Sequence, residues 1–374
     1  MSQRYLFTTI ISINRVNFTK MKKFHYHVLG VMSGTSLDGV DVAELLFKYS
    51  NSGDWKFTIV HTETIPYSED WKNTLRHAIT LHNTELVALN KVYTDYLAKV
   101  LLTFISKHHI TKLDAVCSHG HTILHQPEKG LTLQIGNLPE LAELIQQVVV
   151  CDFRVQDVLF GGQGAPLVPI GDRLLFKEYE YCLNLGGFAN VSYEGGTVRT
   201  AFDICPVNIV LNKYAEMLGY SYDDDGKFAA SGALKNSLLE QLNAIEYYHQ
   251  KPPKSLGVEW VQQHMSPILK MNNISAEDIL RTFVEHIAIQ IAKIIPEGST
   301  VLVTGGGAYN NYLMSRIRQC GKFNVIIPST ELIEFKEALI FGLLGVLKLR
   351  NESNCLASVT GAKNDHSSGK IFFP

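Results

Sequence analysis

Nine residues near the start of the chain, Ser33-Gly34-Thr35-Ser36-Leu37-Asp38-Gly39-Val40-Asp41, combine hydroxyls, glycines and carboxylates in one short stretch. Hydroxyls and bare backbone N–H groups donate hydrogen bonds, and glycine lets a backbone come close to an anion. Asp38 cannot stand bare beside a phosphate, so the stretch predicts a polyphosphate with Mg²⁺ between it and Asp38. An ordinary hairpin made of turn residues has the same composition. Two further glycine runs invite the same reading. Gly186-Gly187 lies between two apolar segments, and Gly305-Gly306-Gly307 follows an apolar segment and precedes a helical one. Strand, glycines, helix start is a layout for holding a ligand against backbone at a strand's carboxyl end. His119, His121 and His125 have a spacing that can converge on zinc. The reading adopted for them is a strand-end cluster lining the substrate side of a cleft.

The elements that must position these residues follow from periodicity. Apolar runs predict a hairpin around 33–39, then strands at 55–62, 115–117, 131–135 and 148–153. Helical spacing predicts helices at 69–81, 84–108 and 139–146, and the glycine- and proline-rich span 154–169 reads as a functional loop. At Tyr181 the pattern restarts as strand, glycine turn, strand, with a third strand at 197–202. This faint internal repeat predicts two domains whose glycine turns face across a cleft. Helices at 206–218, 276–295, 311–318 and 337–349 and a strand at 300–304 complete the second half. Asp203 falls just before a predicted helix, where an aspartate commonly caps the N-terminus and is held ionised by it. Glu337 falls at the start of the last one.

The chain has 374 residues, 46% hydrophobic and 19% charged, with a net charge of −2. That suits two domains with sizeable cores and gives no electrostatic drive toward nucleic acid or anionic lipid. The longest apolar run, 338–347, is too short for a bilayer, which needs about 20 residues. Six scattered cysteines without a Cys-x-x-Cys pair read as reduced thiols rather than disulfides or zinc ligands, in a cytoplasmic protein. Residues 1–23 carry an apolar core with basic flanks but no small-residue cleavage site. They read as an upstream start and an extension rather than a signal peptide.

In order along the chain, GVMSGTSLDGVD, SHGHTILHQP, LQIGN, DFRVQD, GGQGAPLVP, LNLGGFANVS, PPKSLG, VLVTGGGAYN and VTGA resemble the anhydro-N-acetylmuramic acid kinases of the sugar kinase/Hsp70/actin ATPase superfamily. The resemblance implies an α/β, two-domain actin-like ATPase (ribonuclease H-like) fold with an interdomain cleft. The expected division is an extension at 1–23, one domain at 24–178 and another at 179–374, with the last helix packing back on the first. It implies ATP and Mg²⁺ as cofactors, a sugar substrate, and a homodimer. The implied chemistry opens a 1,6-anhydro ring with water and phosphorylates O6, giving N-acetylmuramic acid 6-phosphate in cell-wall recycling.

Carried over residue by residue, the family's general base maps onto Asp203. Gly34 through Asp41 become the ATP phosphate loop, with Asp38 toward Mg²⁺. Gly186 and Gly187 face the terminal phosphate, and Gly305, Gly306 and Gly307 lie against adenosine or the α-phosphate. Arg154, His119, Gln163, Asn208 and Glu337 contact the sugar, Arg154 through its lactyl carboxylate. His121 stands where the family has Gln. Cys205 and Val207 stand where its DTGPGN motif has glycines, and Val155 and Gln156 where its FRRRD motif has arginines. These departures predict an altered sugar fit and a weaker grip on the carboxylate. The rival readings are a kinase of a related sugar or small carboxylate, and a non-enzymatic ATP-binding switch. The latter needs a large exposed apolar partner groove, which the sequence does not offer.

Overall fold

The computed structural model describes residues 23–270 and 274–374; the extension expected at 1–23 lies almost wholly outside them. Two sheets organise the chain. The first holds β1 (His25–Ser33), β2 (Gly39–Tyr49), β3 (Trp55–Pro66), β4 (Ala115–Gln126), β5 (Leu131–Ile135) and β6 (Val149–Cys151). The second holds β7 (Tyr181–Leu185), β8 (Phe188–Gly195), β9 (Val198–Pro206), β10 (Thr300–Thr304) and β11 (Asn324–Ile326). The last strand, β12 (Lys370–Phe372), returns to the first sheet and pairs antiparallel with β6. The orders are β12-β6-β4-β1-β2-β3, with β5 on β4, and β11-β10-β7-β8-β9.

In each sheet three strands meander antiparallel, and a fourth then joins the first strand in parallel. This common order is the physical content of the internal repeat, and it is the two-domain actin-like arrangement expected from the sequence. Central β1 is buried on both faces, whereas edge strand β3 alternates polar and apolar residues.

The Thr330–Leu349 helix lies across β1, β2 and β4. Its approach is so close that a Cβ on Gly30 would strike the Ala338 carbonyl, and one on Gly345 the Cys117 sulfur. The span 179–374 is thus divided. Its strands through 326 build the second sheet, while 330–349 and 370–372 cover the first.

Three expectations are corrected. β4 does not stop at 117; pairing with β5 carries it through the histidines to Gln126. The span 154–169 is not a plain loop, for it holds the Val155–Leu159 helix and the start of the Val168–Leu175 helix. The last helix begins two turns early because the Ser329 hydroxyl caps it by accepting the Leu332 N–H at 3.3 Å. Glu337 is therefore mid-helix.

Candidate active site

The β1–β2 turn presents Thr35, Ser36 and Asp38 to solvent. Its left-handed residue is Leu37, at φ 62°, rather than a glycine. Gly39 is needed because a Cβ there would run into the Ile65 backbone, so it serves the sheet and not an anion. Val40 is fully buried in the core. Its side chain is unavailable to a nucleotide. Gly34 has no such internal reason, since a Cβ would meet only the Ser36 hydroxyl at 3.5 Å. Ser33 is buried, and its hydroxyl bonds Tyr67 at 2.6 Å and His121 at 2.8 Å; Tyr67 in turn bonds Tyr93 at 2.5 Å. This network anchors the base of the turn, so the Ser33 hydroxyl does not reach a phosphate.

Asp41 accepts a hydrogen bond from Thr64 at 2.6 Å. Burial pushes its carboxyl upward, with Glu334 and Asp38 adding to the push. Four carboxylates, Asp38, Asp41, Glu334 and Glu337, thus share one region, each of the others raising the charge felt by Asp41 or feeling its charge. Among the described residues no three of these carboxylates bring oxygens within 4.8 Å of one another, so the set suits a hard divalent ion held mainly by phosphates and water, as Mg²⁺ is.

In the second lobe, the Gly186-Gly187 turn and the Asn208–Met217 helix are sewn together. The Val207 and Asn208 N–H groups donate to the Gly187 and Gly186 carbonyls at 2.8 and 3.2 Å. Asn208 Nδ2 donates to the Leu185 carbonyl at 3.3 Å, and its side chain lies beside Gly306 and Gly307. Asn208 therefore stands with the glycine turns rather than with the residues around Arg154. Gly305 has φ 82°, and a Cβ would come within 2.6 Å of Asn184 Oδ1; Gly307 is packed on Leu185. Gly187 and Gly306 are different. A Cβ on Gly187 would meet nothing within 4 Å, and one on Gly306 only Asn208 Nδ2 at 3.8 Å. Neither has a left-handed φ, so nothing inside the protein demands glycine there. Bare, exposed backbone of this kind leaves room for a ligand. Tyr309, just beyond, donates its hydroxyl to Glu334 at 2.6 Å. The third glycine turn is thereby linked to the acidic group beside the first-lobe turn.

Arg154 donates through Nε to His119 Nε2 at 2.8 Å and through Nη1 to the Gly164 carbonyl at 2.6 Å. His119 Nδ1 donates to the Gly120 carbonyl at 2.9 Å, and the ring packs on Phe341. Burial, then Arg154, hold the His119 pKa far below its usual range, so it is neutral. Both of its nitrogens are occupied, and it is 3% exposed. His119 thus orients Arg154 and does not itself face a sugar. His121, lowered to about 4 by burial, bonds Ser33 through Nδ1. His125 bonds Thr132 at 3.1 Å. The three rings do not converge. Gln163 has an exposed side chain, while its backbone N–H donates to the Thr360 carbonyl at 2.8 Å. Glu337 is ringed by protein yet exposed. Burial raises its carboxyl, Arg154 opposes that shift, and Asp41 adds to it.

Asp203 is not a helix cap. It sits in β9 opposite Asn190, beside a register shift, and the helix cap is Val207 with no side-chain bond. Asp203 Oδ2 accepts the Leu256 N–H at 2.9 Å, and its carbonyl accepts the Tyr247 hydroxyl at 2.6 Å. Burial pushes its carboxyl up, against the Leu256 N–H, which is the reverse of the downward shift a helix terminus would give. Phe188 pairs with Pro206, so Asp203 lies about 10 Å along the sheet from the Gly187 turn. Beyond the strand pairing, its hydrogen bonds go to Leu256, Tyr247 and Lys254, all in the second lobe. Cys205 and Val207, at two departures from the motif, are fully buried in that lobe's core. The Tyr247 and Leu256 contacts went unread in the sequence, although PPKSLG marked the segment.

The sequence profile of the family described as anhydro-N-acetylmuramic acid kinase matches residues 26–374. A protein so named from Pseudomonas savastanoi pv. phaseolicola is 33% identical over 375 residues, covering 93% of this chain and 99% of its own. Namesakes from Acinetobacter baylyi and Bacillus cereus are each 33% identical, covering 92% and 93% of this chain and 98% and 97% of theirs. Among solved structures, xylulose kinase from Lactobacillus acidophilus aligns at 11% identity and a TM-score of 0.42, covering 93% of this chain and 94% of its own. That likeness is too loose to add to the strand order. Matched from Tyr26 to its last residue, the chain belongs to the anhydro-N-acetylmuramic acid kinase family.

Proposed function

We propose that this enzyme uses ATP to convert 1,6-anhydro-N-acetylmuramic acid into N-acetylmuramic acid 6-phosphate, in recycling of the cell wall. The observation that carries the site assignment is the bare backbone at Gly34, Gly187 and Gly306, glycines that no internal packing or left-handed φ requires. They support an ATP phosphate chain held between the first-lobe turn and the two second-lobe turns, with Gly305 and Gly307 shaping the last of these and Asn208 fixing it. Thr35 and Ser36 add hydroxyl donors. Asp38 and Asp41, with Glu334 nearby, are the residues that would hold Mg²⁺, which supplies charge neutralisation of the phosphates.

On the sugar side, the remaining Nη N–H groups of Arg154 take the lactyl carboxylate, and His119 with Gly164 fix the guanidinium plane. Glu337 and Gln163 bond sugar hydroxyls or the acetamido group. Asp203 takes a proton from water as the water oxygen bonds to the anomeric carbon and the C1–O6 bond breaks. The freed O6 then bonds to the γ-phosphorus and ADP leaves, so O6 needs no base of its own. The Leu256 N–H holds one Asp203 oxygen, and the other is left to receive the proton.

Purified protein with Mg-ATP and the anhydro sugar is expected to release ADP only when the sugar is present. ATP turnover indifferent to that sugar, or dependent instead on an open hexose, would overturn the assignment.

A further inference from the structure

The segment that carries Arg154 is pinned to the tail of the chain by a buried carboxylate. Asp157 is fully buried, and its oxygens accept the Gly164 N–H and the Thr360 hydroxyl, each at 2.7 Å. Cys355, 1% exposed, and His366, 6% exposed, face it. One ligand atom from each of the three lies within 4.8 Å of the others. His366 Nδ1 donates to the Asn364 carbonyl at 3.0 Å, so in the neutral ring Nε2 carries the lone pair. That Nε2 is buried without a hydrogen-bond partner, 3.6 Å from Asp157 Oδ1. Among the described residues no Lys or Arg pairs with Asp157.

The imidazole lone pair and the carboxylate, turned on one another in a dry pocket, repel unless something positive lies between them. The Cys355 S–H is a weak donor that can serve only one of them, and the Arg154 guanidinium, which feels Asp157 and Cys355, is bonded to His119 and Gly164 instead. A proton on Nε2 is one remedy. However, 3.6 Å is well beyond the roughly 2.7–2.9 Å of a charge-assisted hydrogen bond. A borderline-soft cation is the other. Tetrahedral bonds of about 2.0–2.3 Å put ligand atoms about 3.3–3.5 Å apart, close to the 3.6 Å between His366 Nε2 and Asp157 Oδ1, while the Cys355 sulfur lies within 4.8 Å of both.

We propose that Asp157, Cys355 and His366 form a structural site for a zinc-type cation that ties the tail to the Arg154 segment. On binding, the Cys355 S–H bond gives its proton to solvent and the sulfur's electron pair to the metal. Loading therefore releases a proton and strengthens as pH rises. The ligands stand far apart in sequence, and the absence of Cys-x-x-Cys hid them. The proposal does not depend on the kinase assignment.

The test is to strip the full-length protein with chelator and titrate it with Co²⁺, then Zn²⁺. A thiolate-to-cobalt charge-transfer band is expected, displaced by Zn²⁺ and kept in Cys320→Ala. The band should vanish in Cys355→Ala, and Co²⁺ affinity should fall at least tenfold in His366→Gln, which keeps the ring's volume. Zn²⁺ should also raise the melting temperature of the stripped wild type. Absence of the band in the wild type at saturating Co²⁺ overturns the proposal, as does its persistence in Cys355→Ala. If Cys355→Ala does not fold, an unchanged affinity in His366→Gln overturns it equally.

Discussion

Asp203 holds a carboxylate where burial works against its charge, and that tension gives two expectations of opposite sign. Removing the charge should end proton abstraction, so Asp203→Asn is expected to lower kcat by about 10²–10⁴-fold while ATP affinity persists. The same change removes a desolvated anion, so the melting temperature should hold or rise. Loss of ATP binding together with lowered stability would make the residue structural instead. The pH dependence has the matching sign. The folded pKa lies above the ordinary 3.8, so the folded state binds more protons there and stability falls as pH rises from about 3.8 through the folded value. Activity moves the other way, since the base must be ionised, and the acid limb of kcat/KM should lie above 3.8 and be lost in Asp203→Asn. At this scale the sequence shows residue types but not partners. That Ser33 and His119 spend their polar atoms inside the protein depends on Tyr67 and Arg154, which are distant in the chain.

Among elements, the glycine turns separate structural from binding roles. Gly187→Ala should leave stability unchanged or raised by about 0.4–1 kcal/mol, because no atom awaits the new Cβ. It should raise the KM for ATP by tenfold or more. Gly305→Ala, with φ 82° and a Cβ only 2.6 Å from Asn184 Oδ1, should instead lower the melting temperature. Equal destabilisation by both, read by thermal unfolding, would contradict the distinction. The turns themselves were legible because apolar runs flank them, as was the restart at Tyr181, which repeats the first sheet's order. The last helix was not placed well. Its first two turns, Thr330 to Lys336, hold only three apolar residues among four polar ones, and only the Pro328-Ser329 start signal marks them. Asp203 was misplaced for a related reason: Pro206 suggests a helix start, but pairing with β8 keeps the chain extended as far as that residue.

Across the whole molecule, a buried charge network joins the Val168–Leu175 and Thr330–Leu349 helices to β8 and β9 of the second sheet. Lys336 pairs with Asp172 at 2.8 Å, Ser192 donates to Asp172 at 2.5 Å, and Arg199 donates to Ser192 at 2.8 Å. Asp172→Ala would strand Lys336 in the interior, costing about 3–5 kcal/mol by urea unfolding, while Arg199 keeps Glu194 at 3.3 Å; a loss below about 1 kcal/mol would mean the network bears little of the fold. Neither its members nor their meeting could be read from sequence, since they come from three separate segments. Among the described residues, no helix is long and apolar enough to cross a membrane. The account turns on water entering at the anomeric carbon while the ring oxygen goes to phosphorus, and mass spectrometry of the product formed in ¹⁸O water with Mg-ATP reads this directly. One ¹⁸O on the anomeric hydroxyl and none bridging O6 to phosphorus is the expected result; a phosphorylated sugar without label at C1 would contradict it.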